Sequence, residues 1–498
     1  MAKTVRDVVR LNGRFKELVL LPAAVLTVVL LAAVLLWGPR QEILYFTQDY
    51  LPIFMFATLG VLLFTGYPVA FVLGGTALLF GFLGYLVGTF NLIEYFNFVP
   101  RIWGQAAENL VLVAVPTFVF MGVMMERSGI AHDLLYCCQV MLRRVPGALA
   151  LAVTVMGTIL AAMTGIIGAS VTMMTSLALP SMLRQGYSHA LATGCIAAAG
   201  TLGILIPPSI MLILMADLMS VSVGTLFMAA LGPGLLLAAL YLIAIGLTCR
   251  LNPSLGPPLP PDALNLPRGE KAVLFVKSFL PPATLIFLIK GSILFGWATP
   301  SEAGAVGAFG AVALAVVKGR GGWGVLKEVA GASSLTIGMI FFIVISATCF
   351  AYVFRALGGD DVAEGLIRSA GLGSWGLTFL IMGIVFGLGF FLDWIEITLI
   401  VLPVFGPMIA NMDFGTWVPK EAVLVWFTVL LAVNLQTSFL TPPFGFALFY
   451  MKGLAPPEVK IQSIYRGIIP FVIMQLICLF LIILFPQLAL WLPGAVYE

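Results

Sequence analysis

The chain has 498 residues, of which 61% are hydrophobic and only 9% are charged. Soluble domains carry roughly 25% charged residues, so this composition and a mean hydropathy of +1.11 exclude a soluble enzyme, a nucleic-acid-binding protein and a disordered scaffold. Apolar stretches long enough to cross the lipid hydrocarbon, which takes about 20 residues, recur along the chain. We therefore predict an all-α polytopic membrane protein.

The N-terminal part, residues 1–49, combines a basic segment with an apolar run at 18–37 that is typical of an uncleaved first span. Further spans are predicted at 50–65, 69–87 and 110–127, and the mixed aromatic and charged segment 90–108 is expected to lie in the membrane interface.

Two short apolar segments at 147–183 follow, joined by the sequence TGII at 164–167. Both are short for full crossings and the glycine favours a chain reversal, so we predict a re-entrant helical hairpin. The next apolar segment, 188–220, contains Gly203 and the pair Pro207-Pro208. Proline removes a backbone hydrogen bond, so we predict an interrupted helix there. Span 224–249 closes a first repeat at 50–249.

The same order of elements recurs after a Pro-rich linker at 250–270. In the second repeat, 271–498, Thr299-Pro300 begins a helix as Pro68 does in the first, and 338–355 corresponds to 110–127. A second hairpin is predicted at 375–411 with Asp393 at its tip, a second interrupted helix at 420–455, and a closing span at 468–492. We interpret this order as the duplication of one folding unit.

The distribution of basic residues indicates that the two copies are inverted. If both ends of the first hairpin face the cytoplasm, most of the 25 Lys and Arg residues fall on the cytoplasmic side, as the positive-inside rule requires. The exceptions on the outer side are Arg40, Arg101, Lys290, Arg355, Arg368 and Lys420. The second hairpin then enters from the opposite face.

Paired inverted repeats with interrupted helices are typical of secondary transporters. Helix ends inside lipid leave unpaired backbone groups that cost several kcal/mol each unless something satisfies them. Carbonyl groups suit Na⁺ and helix N-termini suit anions. We expect Na⁺ near Gly165, Ser170, Gly203, Pro207, Pro208, Ser209, Asp393, Thr437, Thr441 and Pro442, and solute near Thr164, Gly168, Ala169, Trp394 and Pro443.

Asp393 is the strongest single candidate because a carboxylate at this depth is costly unless it is paired. We expect it to order the hairpin tip or to lie near a cation, and a position in a water-filled vestibule is the alternative. Glu396 lies three residues further on and is a second candidate. For the two Pro-Pro pairs, the alternative is a pair of kinked but closely packed helices.

No cofactor and no transition metal are expected, because the cysteines form no C-x-x-C pair and the histidines are far apart in sequence. The chain also lacks the phosphate-binding motif G-x-x-x-x-G-K-[ST]. Coupling to an ion gradient is therefore the simpler source of energy. An enzyme embedded in the membrane is disfavoured because no H-E-x-x-H motif or clustered histidines occur.

Several segments together resemble the large membrane subunit (DctM-like large permease) of tripartite ATP-independent periplasmic (TRAP) transporters. They are GYPVAF at 66–71, RQGY at 184–187, GTLGILIPPSI at 200–210, PSEAGAVGA at 300–308 and TPPFG at 441–445. By this resemblance Pro207, Pro208 and Ser209 match the first break, Thr441, Pro442 and Pro443 the second, and Asp393 the acidic residue of the second tip. The first hairpin tip, TGIIGASV at 164–171, departs from the sequence pattern that many members of this family have at that tip.

The resemblance implies a scaffold with an elevator-type transport domain, Na⁺ as coupling ion, and uptake of a small organic acid delivered by a periplasmic binding protein. It also implies a separate small membrane subunit of the DctQ type, with about four helices, and location in the lipid of the bacterial inner membrane. The distribution of basic residues places the N-terminus in the cytoplasm and the C-terminus in the periplasm. No nucleic-acid partner is expected.

Two other transport mechanisms are compatible with the sequence. One is a symporter or antiporter of the same hairpin architecture that works without a binding protein. The other is a channel, which saturable accumulation driven by a Na⁺ gradient would exclude.

Overall fold

The computed structural model describes residues 40–164, 167–258, 266–369, 371–442 and 445–497. The predicted extra span at 18–37 and the site candidates Gly165 and Pro443 lie outside these ranges. Within them the secondary structure is helical, without a β-strand. Seven helical segments in the described ranges are long and apolar enough to cross a membrane, in agreement with the predicted all-α polytopic fold.

The helices of the first half begin with a long helix and end with another. They are α1 (Arg40–Leu63), α2 (Val69–Val87), α3 (Phe98–Ile102), α4 (Ala114–Arg127), α5 (Ile130–Leu142), α6 (Ala148–Thr164), α7 (Ile167–Arg184), α8 (His189–Thr201), α9 (Ile210–Leu218) and α10 (Val223–Leu251). Short 3-10 and π segments, Leu92–Asn97 and Trp103–Ala107, flank α3.

The second half contains α11 (Arg268–Leu274), α12 (Leu280–Leu294), α13 (Pro300–Val317), α14 (Trp323–Ala356), α15 (Gly359–Ser369), α16 (Ser374–Leu388), α17 (Trp394–Ala410), α18 (Val423–Ser438), α19 (Phe446–Leu454), α20 (Ile461–Leu484) and α21 (Gln487–Tyr497). A π segment, Phe275–Phe279, joins α11 to α12. We call α6 with α7 the first helix pair and α16 with α17 the second. The first interrupted helix is α8 with α9, and the second is α18 with α19.

The helix starts that the sequence predicts are found in both halves of the chain. Pro68 precedes α2, and Thr299 caps α13 by accepting a hydrogen bond from the Glu302 amide at 3.3 Å. The Glu302 carboxylate in turn accepts from the Thr299 amide at 2.8 Å, which completes a capping box. These starts are where the repeated pattern predicted them.

Three predicted segments need correction. The closing span predicted at 468–492 is instead α20, which ends at Leu484, followed by the separate helix α21. Pro486 lies between them and has no amide proton to continue the first helix. The segments 110–127 and 338–355 are not equal spans, because α4 has 14 residues and α14 has 34. Helices α5 and α15, which precede the two helix pairs, were not predicted.

The described chain separates into two compact units, and neither coincides with one repeat. The first unit takes residues from the ranges 1–109 and 339–373. The second unit takes 110–338 and 374–498. Both helix pairs and both interrupted helices therefore belong to the second unit, so the candidate site can be described within it.

Candidate functional site

The first helix pair packs closely on α8 through small residues. A Cβ atom added at Gly157 of α6 would lie 2.7 Å from Cβ of Ala199. One added at Gly200 would lie 2.4 Å from Cγ2 of Val171 in α7. Both helices of the pair therefore reach the end of α8 just before the helix is interrupted.

The first break is built from the predicted residues. The carbonyl of Leu202 accepts hydrogen bonds from the amides of Leu205 and Ile206 at 3.1 and 3.0 Å. The ladder stops at Pro207 and Pro208 because neither has an amide proton. Ser209 then caps α9, as its hydroxyl donates to the Ile204 carbonyl and accepts from the Leu212 amide. The whole break is buried, including Gly203.

The second helix pair turns at Asp393, which caps α17. The Asp393 carboxylate accepts a hydrogen bond from the Trp394 amide at 2.8 Å, and Glu396 accepts from the Asp393 amide at 3.2 Å. Both carboxylates are half-buried. Their position at a helix N-terminus is electrostatically favourable, and it gives Asp393 an ordering role at this turn.

The second break is stabilised by threonine hydroxyls. The Thr437 hydroxyl donates to the Asn434 carbonyl at 2.7 Å, and the Thr441 hydroxyl donates to the Thr437 carbonyl at 2.8 Å. Both oxygens keep lone pairs that a cation could use. Pro442 follows, half-buried. The second pair approaches this break closely, since a Cβ added at Gly389 would lie 2.4 Å from Oγ of Ser438.

The two repeats pack on each other in a reciprocal way. Helix α7 of the first pair contacts α19 of the second interrupted helix, and α17 of the second pair contacts α9 of the first. The closing helices behave likewise, because α20 contacts α8 and α10 contacts α18. Equivalent elements therefore make equivalent contacts, as expected for a duplicated unit with internal pseudosymmetry.

The predicted site residues lie at the two breaks and at the turns of the two helix pairs. Gly203, Pro207, Pro208 and Ser209 form the first break, while Thr437, Thr441 and Pro442 form the second. Thr164 ends α6, and Gly168, Ala169 and the buried Ser170 lie in the first turn of α7. Asp393 and the buried Trp394 begin α17.

Several polar residues at the site were not among the predicted ligands. The amide side chain of Gln436 and the hydroxyls of Ser438 and Thr398 are buried without a hydrogen-bond partner in the described part of the chain. Buried polar atoms are usually paired, so such groups are available to a bound ion, water or solute. The adjacency of Gln436 and Ser438 to the predicted ligand Thr437 was the signal in the sequence.

Tyr450 is the other residue that the sequence analysis missed. A Cβ added at Gly168 would lie 3.0 Å from the Tyr450 ring. Tyr450 thus touches the start of α7. Its signal was weak: a lone hydroxyl in the apolar run that forms α19.

A charged cluster lies at the turn between α4 and α5. Asp133 forms ion pairs with Lys318 at 2.7 Å and Arg320 at 3.1 Å. Arg320 also donates to the carbonyls of Ser128 and Gly129. Burial acts to raise the pKa of Asp133, but the two cations outweigh it and hold that pKa below its usual value.

The chain is similar in sequence to large permease proteins of several bacteria. A relative in Pseudomonas aeruginosa, the C4-dicarboxylate TRAP transporter large permease protein DctM, is 29% identical over 394 residues, which cover 78% of this chain and 88% of that protein. The ectoine/5-hydroxyectoine TRAP transporter large permease protein UehC of Ruegeria pomeroyi is 29% identical and covers 89% of this chain and 99% of its own length. The Escherichia coli 2,3-diketo-L-gulonate TRAP transporter large permease protein YiaN is 28% identical, with coverages of 77% and 87%.

The fold also resembles a solved transporter structure, that of Alcanivorax borkumensis YdaH. The TM-score is 0.56 at 15% sequence identity, with 81% of this chain and 89% of that chain covered. The family model "Tripartite ATP-independent periplasmic transporter, DctM component" matches residues 56–488. This multi-pass membrane protein therefore belongs to the DctM family of TRAP transporter large permeases.

Proposed function

We propose that this chain is the large membrane subunit of a Na⁺-coupled secondary transporter that imports a small organic acid. The observation that carries the proposal is the reciprocal packing of two helix pairs on two interrupted helices. This arrangement collects helix ends, hydroxyls and unpaired buried amide groups in one compact unit. Such groups suit a hard cation together with an anionic solute.

Two Na⁺ sites are proposed, one for each break. The first would use carbonyl groups around Gly203 and Pro207 with the Ser209 hydroxyl, next to the start of α7. The second would use Thr437, Thr441 and the carbonyls before Pro442, next to Asp393. A solute carboxylate between them would face the N-termini of α7 and α17, where helix dipoles favour negative charge.

The proposed partners follow from the relatives, which are named as large permease proteins of TRAP transporters for C4-dicarboxylates, ectoines and diketogulonate. We propose a small membrane subunit of the DctQ type and a periplasmic binding protein that delivers the solute at the bacterial inner membrane. Both helix pairs lie in one compact unit, which is compatible with an elevator mechanism in which that unit moves as a body.

The test is uptake by vesicles that contain this chain with its small subunit. Labelled organic acids, beginning with C4-dicarboxylates, are supplied with the binding protein and with an inward Na⁺ or K⁺ gradient. We expect accumulation only with Na⁺ and only with the binding protein. Accumulation without the binding protein would favour an independent symporter, and equilibration without accumulation would indicate a channel.

A further inference from the structure

One face of α7 leads from the start of the helix into a cleft. Gly168, Thr172 and Ser176 are spaced four residues apart, so they lie on the same side of this helix. Thr172 and Ser176 line the cleft, whereas Gly168 does not. The three positions therefore lie along one side of α7, and Gly168 is the one that does not line the cleft.

The residue that contacts Gly168 and also lines the cleft is Tyr450 of α19. Its ring atoms Cε2 and Cζ lie 3.0 Å from the Cβ position at Gly168, and its hydroxyl lies 3.3 Å away. The same side chain lines the cleft, with 45% of its surface exposed. Tyr450 thus stands between the start of α7 and the cleft.

The cleft has a volume of about 830 Å³, which is in the range of small-molecule sites, roughly 300–1,000 Å³. The end of its lining that is formed around the turn between α4 and α5 includes Glu126, Arg127 and His132. Arg127 forms an ion pair with Glu328 at 2.6 Å, and the side chain of His132 is 68% exposed. Charged, exposed side chains place this end of the cleft at an aqueous face of the membrane.

We propose that solute passes between the helix pairs and one membrane face through this cleft, and that the Tyr450 ring is the barrier that closes the passage. The inference rests on the proposed transport function, because a closed passage has a role only in a transporter. Under the charge distribution above, the face is the cytoplasmic one, so the cleft is the route of solute release.

Cysteine labelling with a membrane-impermeant maleimide tests the barrier directly. Thr172→Cys and Gly168→Cys lie one helical turn apart on the same face of α7, and only the second is covered by Tyr450. In membrane vesicles of known orientation we expect Thr172→Cys to be labelled from one face and Gly168→Cys to be labelled much more slowly, because the Tyr450 ring lies against it. Combining Gly168→Cys with Tyr450→Ala should speed its labelling about tenfold or more, whereas Tyr450→Phe should leave it protected.

The unchanged chain is the background control, because Cys137, Cys138, Cys195, Cys249 and Cys478 are buried and Cys349 is partly buried. If Gly168→Cys is labelled as fast as Thr172→Cys while Tyr450 is present, the Tyr450 ring is not the barrier. The same conclusion follows from continued protection in the Tyr450→Ala background. A Thr172→Cys variant that is not labelled from either face would contradict the proposal that the cleft is a passage for solute.

A second variant keeps glycine at position 168, so no new side chain is pushed against α19. Tyr450→Cys should be labelled from the same face as Thr172→Cys, and labelling from the opposite face only, or from neither, would contradict the inference. Labelling does not require transport. Absence of Na⁺-driven uptake by the unchanged complex would therefore contradict the proposed function, whereas an unexpected labelling pattern would contradict only the assignment of the cleft and Tyr450.

Discussion

Asp393 combines two physical roles that substitutions can separate. Its carboxylate caps α17 through the Trp394 amide, and its charge lies where we propose Na⁺ and solute to bind. Asparagine caps a helix about as well as aspartate, whereas alanine does not. A comparison of the two substitutions therefore distinguishes the structural role from the electrostatic one.

For Asp393→Ala we expect uptake to be largely abolished, with a loss of about 0.5–2 kcal/mol in stability from the missing cap. For Asp393→Asn we expect a nearly unchanged unfolding temperature, because the cap is kept, and an uptake rate reduced about tenfold or more by the lost charge. Uptake assays and thermal unfolding in detergent measure both effects. Near-normal uptake by Asp393→Asn would show that the charge is not needed.

The ion pairs of Asp133 predict a stability that depends on pH. Because the pKa of Asp133 is lowered in the folded protein, its pairing stabilises the fold above the unfolded pKa, which is about 3.9, and this stabilisation is lost as the pH falls towards the lowered value. Asp133→Asn should cost about 1.5–3 kcal/mol at neutral pH, as for a hydrogen bond to a charged group.

The check is thermal unfolding of Asp133→Asn and the unchanged chain between neutral pH and pH ~2.5. The difference between the two unfolding temperatures should stay constant near neutral pH and shrink in acid. An equal difference at every pH would mean that the ion pairs do not stabilise this turn.

Among the elements, α8 and α20 approach most closely through reciprocal glycines. A Cβ at Gly194 would lie 2.1 Å from the Gly467 carbonyl oxygen, and a Cβ at Gly467 would lie 2.1 Å from that of Ala190. Backbone cannot move aside as a side chain does, so Gly467→Ala should destabilise the protein by about 1–3 kcal/mol or more. The matched control is Gly246→Ala in α10, where nothing lies within 4 Å of the added Cβ.

Thermal unfolding compares these two glycine variants. We expect a clear loss for Gly467→Ala and no loss, or a gain of about 0.5–1 kcal/mol, for Gly246→Ala. Equal unfolding temperatures would contradict the close contact between α8 and α20.

The first break makes a prediction about ion dependence. Replacing Pro207 and Pro208 together by alanine restores two amide protons, which allows a helix to form across residues 205–209. Carbonyl groups proposed to bind Na⁺ would then be used within the helix, so a higher Na⁺ concentration should be needed for half-maximal uptake. An unchanged Na⁺ titration would count against the first Na⁺ site.

Local signals in the sequence predicted the helix boundaries well where proline or a capping residue sets them. The starts after Pro68 and Thr299, the break at Pro207-Pro208 and the turn at Asp393 all lie where they were expected. The division between α20 and α21 was missed although Pro486 marks it. Contacts such as Gly168 with Tyr450 join distant parts of the chain, and no local pattern carries that information.

At the scale of the whole molecule, the repeats and the compact units divide the chain differently. The second unit takes both helix pairs and both interrupted helices, one set from each repeat. Equivalent contacts between α7 and α19 and between α17 and α9 make this unit pseudosymmetric. If the repeats are inverted in the membrane, the two pairs enter from opposite faces and their helix ends meet around the proposed solute site.

If the two repeats are inverted, the outer ends of the two helix pairs lie on opposite faces of the membrane, and chemical labelling can detect this. Arg184 ends α7 and Asn411 follows α17, and both are exposed. In vesicles of known orientation, a membrane-impermeant maleimide should modify Arg184→Cys from the cytoplasmic face and Asn411→Cys from the periplasmic face. Modification of both from the same face would show that the repeats are parallel and would contradict the account.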